Sequence, residues 1–320
     1  MYNCEVSLAY MAKTWNFDKF KENIWEIGEE VNRVTLSFIR QLLGVHKKTS
    51  NHAILGETGV YPIAIKVFVH IMKYWFRMKN SENKLLKASR EANMTLDLQG
   101  LQNWHKIVRF LLEITNLQPL PNQNNKEDER MINTFKKNIK SIYQNWWYEE
   151  TISVKNSKLN FLSKYKKRFK FEPYLDILPR HIRLYTSRLR TSSHNYPIET
   201  LRYCEPYIDP QDRKCNICDS NETGDEHHYL LKCTNQNIIN TRQTFLTNIK
   251  NTTNQFKDFK DECIIQYCLL LHDQKVIQET AEFIKAVAIT YREELEERKE
   301  ETITITRSGR LVKKPDKLNL

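Results

Sequence analysis

The sequence predicts a mostly α fold, with an N-terminal helical bundle, a linker and a second helical domain built around a small Cys3His cluster. Three observations predict it. Apolar residues recur at alternating steps of three and four along several segments, the signature of one buried helix face. The 320 residues include only seven glycines and nine prolines, so tight turns needing positive φ must be scarce. Three cysteines and a histidine with metal-ligand spacing stand within one short stretch.

The first helix is read from Ile24, Ile27, Val31, Val34, Phe38 and Leu42, a continuous apolar stripe that Gly44 would cap. Asn51 to Tyr61 holds Gly56 and Gly59 and is expected to be a loop. Pro62 then opens a helix whose stripe is Ile65, Phe68, Val69, Met72, Trp75 and Phe76. Leu101, Trp104, Val108, Leu111 and Leu112 repeat the pattern, and residues 1–117 are expected to form the bundle, their aromatics in its core. Residues 118–129, QPLPNQNNKEDE, have no apolar period and are taken as the linker.

The second domain, residues 130–300, begins with Met131, Phe135, Ile139, Ile142 and Trp146 at helical spacing. Pro173, Pro179 and Pro197 must break its middle into short helices. Ile238 to Ile249, Cys263 to Leu271 and Val276 to Arg298 read as helices. Residues 301–320 are basic, lack an apolar stripe and are expected to be a disordered tail.

The formal charge is +11, and Lys155 to Arg190 alone carries eleven basic residues against two acidic ones. Such a local excess points to a polyanion, either nucleic acid or an anionic surface. No run approaches the length of a membrane span and no secretory leader is recognisable, so a nuclear or cytoplasmic protein that is not secreted is expected, with no membrane partner. Seven cysteines around one Cys-x-x-Cys suit a reducing compartment and a metal rather than a disulfide framework.

Within residues 213–234, Cys215 and Cys218 are followed by His228 after nine residues and Cys233 after four more. Two thiolates on a tight turn can face one ion, and the Asp219 to His227 loop brings the third ligand round. Four N/S donors close a tetrahedron, which makes one structural zinc the expected cofactor. His227 competes with His228, which is preferred. Asp225 and Glu226 are candidate acceptors for the imidazole N–H. Cys4, Cys204, Cys263 and Cys268 lack such spacing and read as ordinary buried residues, with Cys204 near enough to watch. A zinc deaminase would need His-x-Glu before Pro-Cys-x-x-Cys, and a redox Cys-x-x-Cys an α/β setting; neither is present.

The basic stretch interleaves Lys164, Lys166, Lys167, Arg168, Lys170, Arg180, Arg183, Arg188 and Arg190 with aromatics. The cations are candidate phosphate contacts. Leu159, Leu162, Tyr165 and Phe169 recur at helical spacing, so these rings are expected in the core rather than stacked on bases.

The blocks YNCEV, VNRVTLSFIRQLLGVHKKTSNHAILGETGVYPIAIKVFVHIMKYWFRM, KLNFLSKYKKRFKFEPYL, RLYTSRLRTSSHNYPIETLRY and KCNICDSNETGDEHHYLLKC resemble the C-terminal region of LINE-type (non-LTR) retrotransposon reverse transcriptases. The resemblance covers nearly the whole chain and implies a helical post-palm segment followed by a CCHC zinc knuckle. It implies Cys215, Cys218, His228 and Cys233 as ligands, RNA or DNA as partner, a reverse transcriptase polymerase domain possibly supplied in trans, and Arg183, Arg188, Arg190 and Arg202 as nucleic-acid contacts. The chain departs from the family in having no Asp-Asp pair to hold polymerase magnesium ions and no endonuclease-like segment, so neither catalysis nor a small-molecule substrate is expected. Lys314, Pro315 and Asp316 match letters of a nuclease signature, and are read as coincidence because no further carboxylates complete a metal site.

Overall fold

In a computed structural model, the described residues are 24–101, 103–118, 125–152, 157–252 and 275–301, with the short segments 303–305 and 311–313. The fold is mostly α. In chain order the longer helices are α1 (Glu29–Leu43), α2 (Asn51–Thr58), α3 (Ile63–Lys79), α4 (Lys84–Leu98), α5 (Trp104–Ile114), α6 (Asn125–Ile152), α7 (Asn160–Tyr165), α8 (Tyr174–Ile177), α9 (Arg180–Arg190), α10 (Pro197–Thr200), α11 (Gln236–Thr252) and α12 (Ile277–Glu301). Strands β1 (Ile303–Ile305) and β2 (Leu311–Lys313) pair antiparallel, so part of the tail expected to be disordered has a regular backbone. The expected helix from Cys263 to Leu271 lies outside the described residues, as do Cys4 and Lys314 to Asp316. No single helix among the described residues is long and apolar enough to cross a membrane.

The chain forms two units, one of Met1–Phe38, Gly59–Glu150 and Arg168–Lys170, the other of Ile39–Thr58, Thr151–Lys167 and Phe171–Leu320. This division differs from a break at residues 118–129. Asn125 already belongs to α6, because Glu127 and Asp128 in its first turn suit a helix N-terminus as well as they suit a linker. Residues 119–124 lie outside the described set.

In the first unit, α3 buries Ile65, Phe68, Met72, Trp75 and Phe76 as its stripe predicts, with Val69 half-buried. Asparagine side chains cap the next two helices, Asn83 accepting from Leu85 N–H and Asn103 from Lys106 N–H. Helix α6 buries Met131, Phe135, Ile139, Tyr143 and Trp147, a strict four-residue row. The expected stripe drifts instead to Ile142 and Trp146, which are only half-buried. Phe169 enters the same aromatic core, edge-on to Tyr143 at 5.2 Å and to Trp147 at 5.4 Å.

Helix α1 reverses its expected orientation. Leu36, Ile39 and Leu43 are buried, whereas Val31, Val34, Phe38 and Leu42 are exposed, Val34 to 72%. Both sets keep helical spacing, and spacing cannot say which face a helix buries. Gly44 does end the helix: at φ +64° it lets Val45 N–H reach Arg40 O at 3.1 Å. A Cβ there would meet Leu184 Cδ2 at 2.3 Å. The segment Asn51–Thr58, expected to be a loop, is helical, and Gly56 within it is buried.

The second unit is organised on α12, against which α9 and α11 pack. Phe245 and Phe283 stack with centroids 4.2 Å apart, and Val276, Ile284, Val287 and Tyr291 complete this face. Leu159, Leu162 and Tyr165 join the same core, as do Cys215, Cys218 and Cys233.

Candidate metal centre

The metal centre grows from three short pieces of backbone. Lys214 and Thr223 form an antiparallel bridge, with Cys215 N–H donating to Glu222 O and Gly224 N–H to Arg213 O, each at 2.9 Å. The bridge returns the chain beneath the Cys-x-x-Cys turn. Gly224 is needed here because a Cβ would stand 2.9 Å from Pro197 Cγ and 3.2 Å from Cys215 Cα.

Asp225 then starts a helical turn, its carboxylate accepting from His228 N–H at 2.8 Å. His228–Lys232 is a π-helical turn in which Cys233 N–H bonds His228 O at 2.7 Å. An i to i+5 bond widens the turn, so His228 and Cys233, five positions apart, return to the same side. The chain leaves through Asn235, which caps α11 by accepting from Asn237 and Ile238 N–H.

Cys215, Cys218, His228 and Cys233 meet with all ligand atoms within 4.8 Å of one another, and all four side chains are buried. This cluster could hold a metal ion. His228 Nε2 lies 3.4 Å from Cys218 Sγ, so Nε2 faces the thiols and Nδ1 faces away. His227 and Cys204 do not belong to the cluster.

The carboxylate behind the histidine is Glu222, whose Oε2 lies 3.0 Å from His228 Nδ1. This corrects the expectation of Asp225 or Glu226 as acceptor. Asp225 instead caps the turn, and Glu226 is buried beside His194 Nε2 at 2.8 Å and Ser192 Oγ at 3.2 Å. Glu222 stands six residues before its partner in an irregular loop, where no periodic signal reveals the pairing.

Distant side chains hold the ligand backbone, and sequence reading misses them. Arg298 of α12 donates to Ile217 O at 2.7 Å, and Asn235 Nδ2 donates to the same oxygen at 3.3 Å. Arg242 of α11 donates to Leu230 O at 3.0 Å and Cys233 O at 3.1 Å. Tyr229 donates to Asn216 Oδ1 at 3.1 Å, and Asn216 Nδ2 donates to Tyr291 Oη at 3.2 Å. The turn is therefore tied to both long helices of its unit.

Electrostatics favour a cation in the cluster. The hydrogen bond with Cys233 pulls the Cys215 thiol down to about 3, and the same contact pushes Cys233 well up. Burial opposes the His228 imidazolium, yet its bonds to Cys215 and Glu222 outweigh burial and raise it to about 9. Three sulfurs and a carboxylate thus converge where positive charge is stabilised.

The ten expected nucleic-acid residues do not share one environment. Lys164, Lys167, Arg168, Lys170 and Arg180 are exposed. Arg183 is half-buried and donates to Leu175 O, Arg188 is half-buried and donates to Gly44 O, and Arg202 is half-buried on Glu199. Lys166 and Arg190 require correction: both are buried in ion pairs and present nothing to a phosphate. Arg190 Nε and Nη2 donate to Glu57 at 2.6 and 3.0 Å, Nη2 also lies 3.0 Å from Glu172, and Lys166 bonds Glu172. The Arg190 guanidinium stands over Tyr165 at 4.4 Å and Tyr174 at 5.0 Å. Burial lowers the Lys166 ammonium against the pull of Glu57 and Glu172.

Comparison with known protein families, characterised proteins and solved structures finds no match to this chain.

Proposed function

We propose that this chain is a non-enzymatic nucleic-acid-binding protein organised by one structural zinc ion, akin to the post-palm and knuckle region of LINE-type reverse transcriptases. The kinship rests on the sequence blocks alone. The observation that carries the binding reading is the charge of residues 155–190 after its internal pairs are set aside. Excluding Lys166, Arg190 and Glu172 still leaves nine basic residues against one acidic, Asp176. Lys164, Lys167, Arg168, Lys170 and Arg180 supply the exposed part of this excess, and neutralising phosphates with such groups releases counterions.

Zinc is supported by donor chemistry and spacing. Zn–S bonds of about 2.3 Å and Zn–N bonds of about 2.0 Å in a tetrahedron place sulfur and nitrogen about 3.5 Å apart, close to the 3.4 Å between Cys218 Sγ and His228 Nε2. The carboxylate of Glu222 on Nδ1 completes the carboxylate–histidine pairing that orients zinc-bound imidazoles. With four protein donors no place is left for a reactive water, so the ion fixes the 213–234 backbone and activates nothing.

Binding of RNA and DNA, single-stranded and duplex, across a salt series tests the function. A steep fall of affinity with salt, and weaker binding after chelation, are expected; no binding at low salt defeats the proposal. Loss of zinc in His228→Ala and retention in His227→Ala are expected, and the reverse would reassign the ligand.

A second reading is favoured by the exposed apolar residues Val31, Val34, Phe38 and Leu42 on α1. They suit a protein partner such as a polymerase domain supplied in trans. Partner binding insensitive to salt would support it.

A further inference from the structure

Within the second unit a cavity of about 400 Å³ opens between the Gly44–His46 turn, the end of α9 with the Ser193–Tyr196 segment, and α12. Small-ligand pockets span roughly 300–1,000 Å³. Two features of its wall differ sharply.

The floor is aromatic and aliphatic, formed by Tyr196, Tyr291, Leu189 and Ile284. Tyr196 stacks on Tyr229 at 4.3 Å and 27°, and Tyr291 meets Tyr196 edge-on at 5.1 Å. Tyr229 follows the ligand His228 directly, so the metal centre and the pocket floor are one packed aromatic block.

The rim is cationic and polar. Arg188 and Arg292 line it and no carboxylate does. Arg188 is aimed by its Nε bond to Gly44 O at 2.7 Å, and its two terminal nitrogens have no hydrogen-bond acceptor among the described residues. Arg292 is exposed and has no partner among the described residues. Asn195 gives its backbone carbonyl to the Tyr291 hydroxyl, and its side-chain amide is without a partner among the described residues.

We propose that this pocket takes one unpaired nucleotide of a bound single strand, its base against the tyrosine floor with Asn195 at the base edge, its phosphate on Arg188 and Arg292. An apolar floor of ring edges and aliphatic carbons suits the apolar body of a base, an amide can donate and accept together, and two guanidiniums without a competing carboxylate suit a phosphate. The proposal rests on the nucleic-acid reading above and adds to it a site that distinguishes bases from bare backbone.

The test measures affinities of the zinc-loaded full chain for a labelled single-stranded 12-mer, for the same length of abasic strand, and for adenosine 5′-monophosphate. Two variants accompany it, Ala288→Trp, which fills the cavity from α12, and Asn195→Ala at its exposed rim. Wild type is expected to prefer the base-bearing strand by up to about tenfold, the scale of one edge-to-face aromatic contact. Ala288→Trp should erase that preference, Asn195→Ala should reduce it, and both should leave affinity for the abasic strand unchanged. Equal binding of both strands by wild type would overturn the pocket while leaving the nucleic-acid function intact. If no strand binds, that function falls. The pocket then survives only if saturable binding of the mononucleotide is lost in Ala288→Trp, and no such binding overturns it as well. Competition by phenyl phosphate as strong as by the mononucleotide would overturn the base assignment in favour of a phosphoaryl peptide.

Discussion

The second unit buries two clusters of polar side chains, and they differ in whether their charges close. Glu57 and Glu172 meet Arg190 and Lys166, two anions and two cations whose formal charges balance, although Arg190 Nη1 makes no hydrogen bond among the described residues. Cys215, Cys218, His228 and Cys233, with Glu222 behind them, gather three thiols, an imidazole and a carboxylate with no Lys or Arg side chain in the ligand set. A balanced cluster is complete as structure. A cluster of soft donors invites an ion, and this separates a scaffold from a site even though the four ligand side chains are buried like the ion pairs.

The largest expected effect breaks the soft-donor cluster. Cys233→Ser should abolish stoichiometric zinc in the purified protein, since a structural zinc contributes on the order of 10 kcal/mol of folding free energy. Full occupancy in that variant, measured by metal analysis, would show that Cys233 is an ordinary buried thiol. Next comes the balanced cluster. Arg190→Met leaves Glu57 and Glu172 facing each other without a guanidinium and should cost about 3–5 kcal/mol in denaturant unfolding. Arg168→Met, at an exposed position, should cost less than about 0.5 kcal/mol. Similar losses for the two would mean that Arg190 is not part of a closed network.

Smaller effects sharpen the contrast. Glu222→Ala should weaken zinc about 10- to 100-fold in a chelator competition while leaving the ligand count unchanged. An unaltered affinity would remove Glu222 from the site. Smallest in free energy, Lys167→Glu with Arg168→Glu should weaken nucleic-acid binding and lower the log–log salt slope by about one for each phosphate that is no longer neutralised. An unchanged slope would exclude both side chains from the interface.

How far the sequence reaches follows from what each signal encodes. The ligand set is legible because Cys-x-x-Cys, the histidine and the last cysteine lie within nineteen residues, close enough for local geometry to bring them together. The Gly44 cap and the buried face of α3 are legible for the same local reason. The exposed face of α1 is misread because Leu36, Ile39 and Leu43 form a second apolar row as regular as the first. Arg190 counts as surface charge in the sequence because Glu57 stands 133 positions away, and composition carries no information about a partner at that range; Lys166 is misread although Glu172 is only six positions on, because no helical period pairs them. Arg242 and Arg298, which brace the ligand backbone, give no signal because the bonds that do so go to main-chain oxygens, which any residue type supplies.

The π-turn at His228–Lys232 acts as a length gauge. Inserting one residue between His228 and Cys233 would set them six apart and turn the last sulfur away from the imidazole in either α- or π-winding, whereas deleting one would leave them four apart, on one face of an ordinary α-helical turn. The Asp219–Asn221 crossing is held more loosely, by the bridge of Lys214 to Thr223 and by Ser220 Oγ, 3.2 Å from Cys218 Sγ. Descendants of this sequence should therefore vary more in the number of residues over the first crossing and have no more than four residues over the second.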